Sequence, residues 1–349
     1  MQTEITSAPT NPKLVIIIGN GFDLALGLKT GYTDFLGSRF YESVQKGQNL
    51  SGEIVVPDDT NKMIWGEQNL LVQFISNHQK KENWIDLEQC IYEYCYQNPA
   101  HLNNTAIDKE IYAIRFYLDR FIAAQERAYS IQESSRATYT LSYHFMHHLS
   151  QLSENWQIWN FNYTSSCEDL MVRCTNTELT PRDERIRHIH GYTNDYFNEN
   201  NLRTILGTRY DRKVMNVCPS AIKSQIIPDY KNQKTLLDTH LQNAESVIFF
   251  GFAMGKNDYQ YFNNLFNSSN LKRIGIITLN TYSDNKVRSN MNEATDGKMG
   301  EGMENGRFDV SSFYSENYYD ELVPYYIAEN PKRNEAFNLF MDNFKNKVV

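Results

Sequence analysis

The sequence predicts an α/β fold, a mainly parallel sheet carrying a large helical module, and three observations predict it. The run Leu14–Ile18 is five consecutive aliphatic residues, the pattern of a parallel strand covered on both faces. Comparable runs recur at Trp156–Phe161, Ser246–Phe250 and Arg273–Leu279, with helical patterns between them. Residues 63–153 hold no convincing strand and read as several amphipathic helices.

Taken in order, MQTEITSAPTNP (1–12) reads as a disordered lead with no basic-then-apolar signal. Leu14–Ile18 breaks at Gly19-Asn20-Gly21, where a helix-like pattern begins. Asn49–Asn61, with its glycine, proline and paired aspartates, is a loop into the helical interval. That interval comprises Met63–Asn77, Trp84–Tyr96, Ala106–Tyr129 and Ile131–Leu152. After the strand at Trp156–Phe161 come shorter β-like pieces at Ile186–Ile189 and Arg203–Leu206, then the last two long strands. Glu293–Arg307, rich in glycine and charge, reads as a mobile loop. Arg333–Lys345 reads as a closing helix that packs Phe337, Phe340 and Phe344. The expected domains are 13–62 with 154–326 as the sheet domain, 63–153 as a helical insertion and 327–349 as a C-terminal helix.

Composition bounds the function. At 349 residues, 41% of them hydrophobic, the chain buries a sizeable core. A net charge of −8 argues against a general nucleic-acid grip, although a local basic patch is compatible with that average. Five cysteines without a C-x-x-C pair read as reduced thiols of a cytoplasmic protein rather than a zinc site. No apolar run approaches the length of a membrane span. The G-x-S-x-G elbow and the P-loop lysine are both absent, which argues against a serine hydrolase and a Walker-type ATPase.

Three polar motifs follow strand-like segments, and open α/β sheets bind ligands where strands end. The first is Gly19-Asn20-Gly21 with Phe22 and Asp23. A Gly-x-Gly turn into a helix suits a phosphate, yet Leu24 stands where a dinucleotide fingerprint has its third glycine. Asp23 either favours a helix N-terminus or meets a ribose hydroxyl or a water. The second motif is Asn162-Tyr163-Thr164, the third Gly251-Phe252-Ala253-Met254-Gly255 followed by Asn257 and Asp258. His188-Ile189-His190-Gly191 adds imidazoles, and a neutral His190 suits general-base work on a hydroxyl. A metal held by these histidines would need a third ligand, with His144 and His148 the nearest pattern, and no metal is expected.

GNGFDLALGLKTGYTDFL resembles the opening motif of the AbiH proteins, a family named for bacterial abortive infection against phage. WNFNYTSSCE, HIHG, ILGTRYD and FFGFAMGKNDYQYF follow in that family's order, so the resemblance runs from about Lys13 to Phe262. The family often has histidine at Leu26 and a His-Ser pair at Phe252-Ala253. More distantly, the layout is similar to the sirtuin-like NAD-binding domains of other phage-defence proteins. That resemblance implies a Rossmann-like sheet with NAD as substrate or ligand. It implies that Gly19, Asn20 and Gly21 meet the diphosphate, that Phe22 and Thr164 also belong to the nucleotide-binding set, and that Asn162 contacts the nicotinamide ribose or positions a water. It makes His190, next to Gly191, a base, and sets Gly251 and Asp258 near the adenosine. Thr164 stands where the sirtuin-like pattern usually has aspartate, while Glu168 fits the acidic position further on. No four-cysteine zinc module supports a sirtuin deacylase.

The implied function is phage defence through a nucleotide pocket built on Asn162, His190 and Asp23, with NAD cleaved at the nicotinamide–ribose bond. The alternatives are a sensor or interaction module that binds a nucleotide without catalysis, and a metal-dependent nuclease using Asp23, Asp258 or Glu168. The implied partners are a small-molecule nucleotide, a phage-derived trigger and a second copy of the chain. Neither membrane nor nucleic acid is among them.

Overall fold

A computed structural model describes residues 11–48, 63–79, 86–97, 104–132, 138, 140–152, 155–175, 185–191, 206–227, 229–318 and 331–345. The chain divides into two compact units: 1–28, 128–189 and 232–349 in the first, 29–127 and 190–231 in the second. The expected loop Asn49–Asn61 lies outside the described residues, as does all of Arg203–Leu206 except Leu206.

The first unit is built on six parallel strands: β1 (Leu14–Ile18), β2 (Trp156–Asn160), β3 (Ile186–His188), β4 (Ser246–Phe250), β5 (Arg273–Thr278) and β6 (Asp309–Tyr314). Their order in the sheet is β3-β2-β1-β4-β5-β6, the doubly wound arrangement of a Rossmann-like fold. β1 is central and pairs in register with β2 on one side and β4 on the other, Ile18 opposite both Asn160 and Phe250. All five of its residues are buried, as the unbroken aliphatic run requires.

Each face of the sheet has its own packing. Leu14, Ile16 and Ile18 join a core with Phe22, Leu141, Phe145, Leu149, Leu170 and Met171 from flanking helices. The helix Pro331–Lys345 adds Phe337, Phe340 and Phe344 to it, the three aromatics the sequence assigned to a closing helix. Gly275, in mid-β5, makes this docking feasible: a Cβ there would sit 2.8 Å from the Phe344 ring and 3.1 Å from Phe340. On the other face the indole N–H of Trp159 (β2) donates to Nδ1 of His240, in the helix Tyr230–Asn243.

Two elements differ from expectation. Glu293–Arg307 is not a loop: it contains the end of the helix Thr281–Ala294 and a further helix, Lys298–Glu304. Its glycines misled the reading, because Gly300 and Gly302 lie inside that helix. Gly302 is there for space: a Cβ would sit 2.3 Å from the Phe308 ring. β6 escaped the sequence because DVSSFY is half polar, and one of its serines, Ser312, has partners in the fold. Ser312 donates to Asp284 at 2.7 Å, and Arg288 in turn donates to Ser312 at 2.7 Å.

Among the described residues of 63–153 every element is helical: a 3₁₀ turn at Gly66–Gln68, then Leu70–Gln79, Leu87–Gln97, Asn104–Gln132 and Leu141–Ser150. In the second unit Asn69 caps Leu70–Gln79, its side chain accepting from Val72 N–H and donating to the carbonyls of Ile64 and Glu110. A buried ion pair, Lys223 Nζ to Glu88 at 2.7 Å, joins Leu87–Gln97 to the helix Lys223–Ile226. Breaking it by removing one partner would strand the other charge, at a cost of about 3–5 kcal/mol.

Burial, with a smaller contribution from Arg187, lowers the pKa of His240 from 6.5 to about 4. Protonating Nδ1 also removes the acceptor that Trp159 uses. A histidine depressed in the folded state stabilises fully above pH 6.5 and loses that contribution as pH falls toward 4. From pH 7 to pH 5 the wild type should therefore lose about 2 kcal/mol through this residue. Urea unfolding of His240→Gln should show a correspondingly shallower pH dependence over that interval. Identical slopes would refute the assignment.

Candidate functional site

The carboxyl ends of the strands gather the polar motifs of the first unit. In a 3-2-1-4-5-6 sheet the strand order reverses between β1 and β4, and the crevice at that point is the usual ligand position. Gly19-Asn20-Gly21 follows β1, Gly251–Gly255 follows β4, and Asn162-Tyr163-Thr164 follows β2.

The glycines of the first and third motifs serve each other. Gly19 N–H donates to Phe250 O at 3.0 Å and Gly21 N–H to Gly251 O at 2.9 Å. A Cβ on Gly21 would lie 2.5 Å from Gly251 Cα, and one on Gly251 would lie 2.4 Å from Gly21. Gly251 also adopts φ +60°, the left-handed region that glycine enters freely. Phe22 N–H turns back to Gly19 O at 2.9 Å. The Gly19 and Gly21 amides, two of those expected to meet a diphosphate, and the Phe22 amide beside them are thus used inside the protein. The Phe22 ring lies in the core, edge-on to Phe250 at 5.1 Å, and its carbonyl accepts from Ser142 at 2.7 Å. Asn20 precedes the helix Gly21–Leu26 without capping it through its side chain.

Asp23 points inward and is 1% exposed. Its carboxylate accepts from Thr164 Oγ1 at 2.9 Å and from Ser166 Oγ at 2.6 Å. These charge-assisted bonds fasten the helix after β1 to the turn after β2. The turn is shaped by Asn160, whose side-chain oxygen accepts from Asn162 N–H at 2.9 Å. The buried Cys167 feels this arrangement: burial, then the charges of Glu168 and Asp23, hold its thiol well above the usual range. Thr164 is therefore compatible with Asp23 where an aspartate would bring a second carboxylate to the same place.

Asn162 is 4% exposed, and among the described residues its Nδ2 has no hydrogen-bond partner. A buried amide that ordinarily donates twice is the kind of group a ligand or a water satisfies. Nearby in the chain, Glu168 Oε1 meets His188 Nε2 at 2.6 Å, tying the edge strand β3 to the helix Ser166–Thr175. The sequence marked both residues without pairing them, because they are 20 positions apart and belong to different elements. His190 and Gly191 follow two and three residues after β3 and begin the later segment, 190–231, of the second unit. His190 is buried, and Gly191 has φ +75°.

Beyond Gly251 the loop is aromatic and tightly wound. Phe252 packs on Phe161 at 4.7 Å and on Phe262 at 5.4 Å. Met254 holds φ +48°, rare for a side chain of its size. Asn290 ties this loop by donating to Ala253 O at 2.8 Å. Asp258, partly exposed in the 3₁₀ turn Lys256–Tyr261, donates its backbone N–H to Gly255 O at 2.8 Å. His148 reaches Asn338 at 2.7 Å, a helix-to-helix contact. Among the described residues no group of three or more His, Cys, Asp or Glu side chains is placed to hold a metal ion. None of their helices is long and apolar enough to cross a membrane.

Strand order and edge together define a doubly wound parallel α/β protein with its distinctive motifs at the carboxyl edge of the sheet. The chain belongs to the family described as Bacteriophage abortive infection AbiH, whose model matches residues 15–279. That span runs from β1 through β5 and includes Asp23, Asn162, Thr164, Glu168, His188 and Gly251. The family supports a role in abortive-infection defence against phage. No curated protein matches the chain.

Replacing Asp23 with alanine leaves two buried hydroxyls without their acceptor and should cost about 2–3 kcal/mol in urea unfolding. Thr164→Asp should destabilise comparably by like-charge contact, and Asp23→Thr combined with Thr164→Asp should recover part of that loss. A double variant no better than Thr164→Asp alone would show that the two side chains are not coupled.

Proposed function

We propose that this protein acts in phage defence by holding a nucleotide at the carboxyl edge of its first unit. In this reading the nucleotide is nicotinamide adenine dinucleotide, cut at the nicotinamide–ribose bond. Water would add to the ribose C1′ as nicotinamide leaves, giving ADP-ribose and one proton. The observation that carries the reading is the strand order, which makes the β1/β4 edge a switch point. The partnerless Nδ2 of Asn162 adds support, since a ribose hydroxyl or an ordered water would satisfy it. The diphosphate is better sought away from Gly19, Gly21 and Phe22, whose amides already have carbonyl partners. His190 and Asp258 enter this reading only through resemblance to sirtuin-like domains.

Binding without cleavage is the second reading, and Thr164 favours it. Its hydroxyl, at the position where the sirtuin-like pattern has a carboxylate, is buried and donates to Asp23.

Incubating purified protein with NAD and following nicotinamide release separates the two. Cleavage is expected, falling 100-fold or more in Asn162→Ala and in His190→Ala (roughly the contribution of one positioned catalytic group) with both variants still folded. Calorimetric binding of NAD or ADP-ribose without turnover would establish the second reading. Neither binding nor turnover would overturn both.

A further inference from the structure

The chain after β2 carries two buried polar groups of opposite hydrogen-bonding sense. One is a donor, Asn162 Nδ2, which has no hydrogen-bond partner among the described residues. The other is an acceptor, Glu168 Oε2, buried and equally without a hydrogen-bond partner among them. A buried polar atom left unmet costs free energy, and a carboxylate oxygen costs more than an amide. Asn162 stands in the turn after β2, and Glu168 in the first turn of the helix Ser166–Thr175 that follows.

The fold fixes both groups. Asn160 Oδ1 accepts from Asn162 N–H at 2.9 Å and so sets the turn. Asn160 lies opposite His188 in the β2/β3 register, which puts their side chains on one face of the sheet. His188 Nε2 meets Glu168 Oε1 at 2.6 Å and orients the carboxylate, leaving Oε2 as its second oxygen. The His188 side chain is 9% exposed and that of Glu168 30%, so the carboxylate is anchored on one side and reached from solvent on the other. Asp23, the more deeply buried acid of this edge, is already bonded to Thr164 and Ser166.

The same edge suits phosphate poorly. Gly19–Leu26 and Phe161–Leu170 contain no lysine or arginine but three acids, Asp23, Glu168 and Asp169. In 251–262, after β4, the one cation is Lys256, which pairs with Glu293 at 3.3 Å. The Gly19, Gly21 and Phe22 amides are taken by carbonyls. A phosphate oxygen could accept from Asn162 Nδ2, but toward Glu168 Oε2 it would be acceptor against acceptor, with like charge. A hydroxyl both donates and accepts, so two adjacent hydroxyls satisfy both groups at once.

We propose that this pocket reads a ribosyl group, its 2′- and 3′-hydroxyls bridging Glu168 Oε2 and Asn162 Nδ2, and that its substrate class is a pyridinium N-riboside for which phosphate is dispensable. The acids of the edge favour a base that carries positive charge, as nicotinamide does when joined to ribose. Glu168 is then a ligand-binding residue, and His188 a positioning residue that acts through it. The inference rests on the pocket of the proposed function and narrows what that pocket recognises. It requires neither the diphosphate nor the adenosine of NAD.

The test is calorimetric titration of the full-length protein with nicotinamide riboside, its 2′-deoxy analogue and NAD, with nicotinamide release followed in the same samples. The riboside should bind at least as tightly as NAD. The 2′-deoxy analogue should bind at least tenfold more weakly, because a site built around a hydroxyl rejects the ligand that lacks it. This comparison uses the wild type and depends on no variant. Glu168→Gln should weaken riboside binding at least tenfold with circular dichroism and Tm unchanged. His188→Ala should shrink the preference for the riboside over its 2′-deoxy analogue, a ratio that lost stability alone would not move. Riboside binding without any response to NAD would uphold the inference and remove NAD as the ligand. NAD bound or cleaved, with the riboside at least tenfold weaker, would overturn the inference and leave the NAD reading standing. Equal affinity for the riboside and its 2′-deoxy analogue, or an unaffected Glu168→Gln, would overturn it too. Binding of none of the three would remove both readings and leave the two buried groups to water.

Discussion

The first unit depends on one contact between backbones: the turn after β1 lying directly on the turn after β4. Both strands end at the same level, Ile18 beside Phe250, so the two chains must leave the sheet through the same space. They can do so only without Cβ atoms at Gly21 and Gly251, each of which would place a carbon within 2.5 Å of the other turn. From this contact follow the direction of the helix Gly21–Leu26, the inward aim of Asp23 and the seat of Phe22 on Phe250. The aromatic packing of Phe252 on Phe161 crosses the end of β1 for the same reason.

That constraint changes what a glycine-rich turn means. In a dinucleotide site, glycines admit a phosphate to the backbone and leave amides to bind it. Here they admit another turn, whose carbonyls take the amides. The edge keeps its polar character through side chains, notably the Asn162 amide and the Glu168–His188 pair. A ligand that binds there would be recognised by side chains placed by β2 and β3 more than by the loop after β1.

The strands were legible because burial on both faces leaves no alternation to decode, and LVIII or SVIFF can hardly be anything else. The helices of 63–153 were legible from their period. β6 was not, because its serines look like loop residues until Asp284 and Arg288 are brought beside Ser312 from another element. Lys298–Glu304 was not, because composition cannot distinguish a glycine that bends the chain from one that yields space to Phe308. At the edge, the sequence singled out Asp23, Asn162 and Thr164. It could not show that Asp23 and Thr164 answer each other across 141 residues. Long-range polar pairing leaves no local trace.

The position of β1 has a kinetic side. It is the first strand of the sheet in chain order and lies in the middle of the finished sheet, yet its partners start 142 and 232 residues later, at Trp156 and Ser246. Until both exist, five aliphatic residues in a row have no neighbour to hydrogen-bond, and such segments are prone to pair with other chains. Closing loops of that length before any sheet contact forms makes folding slow for the size of the unit. The residues that make the fold easiest to recognise are thus the ones most in need of protection while it forms.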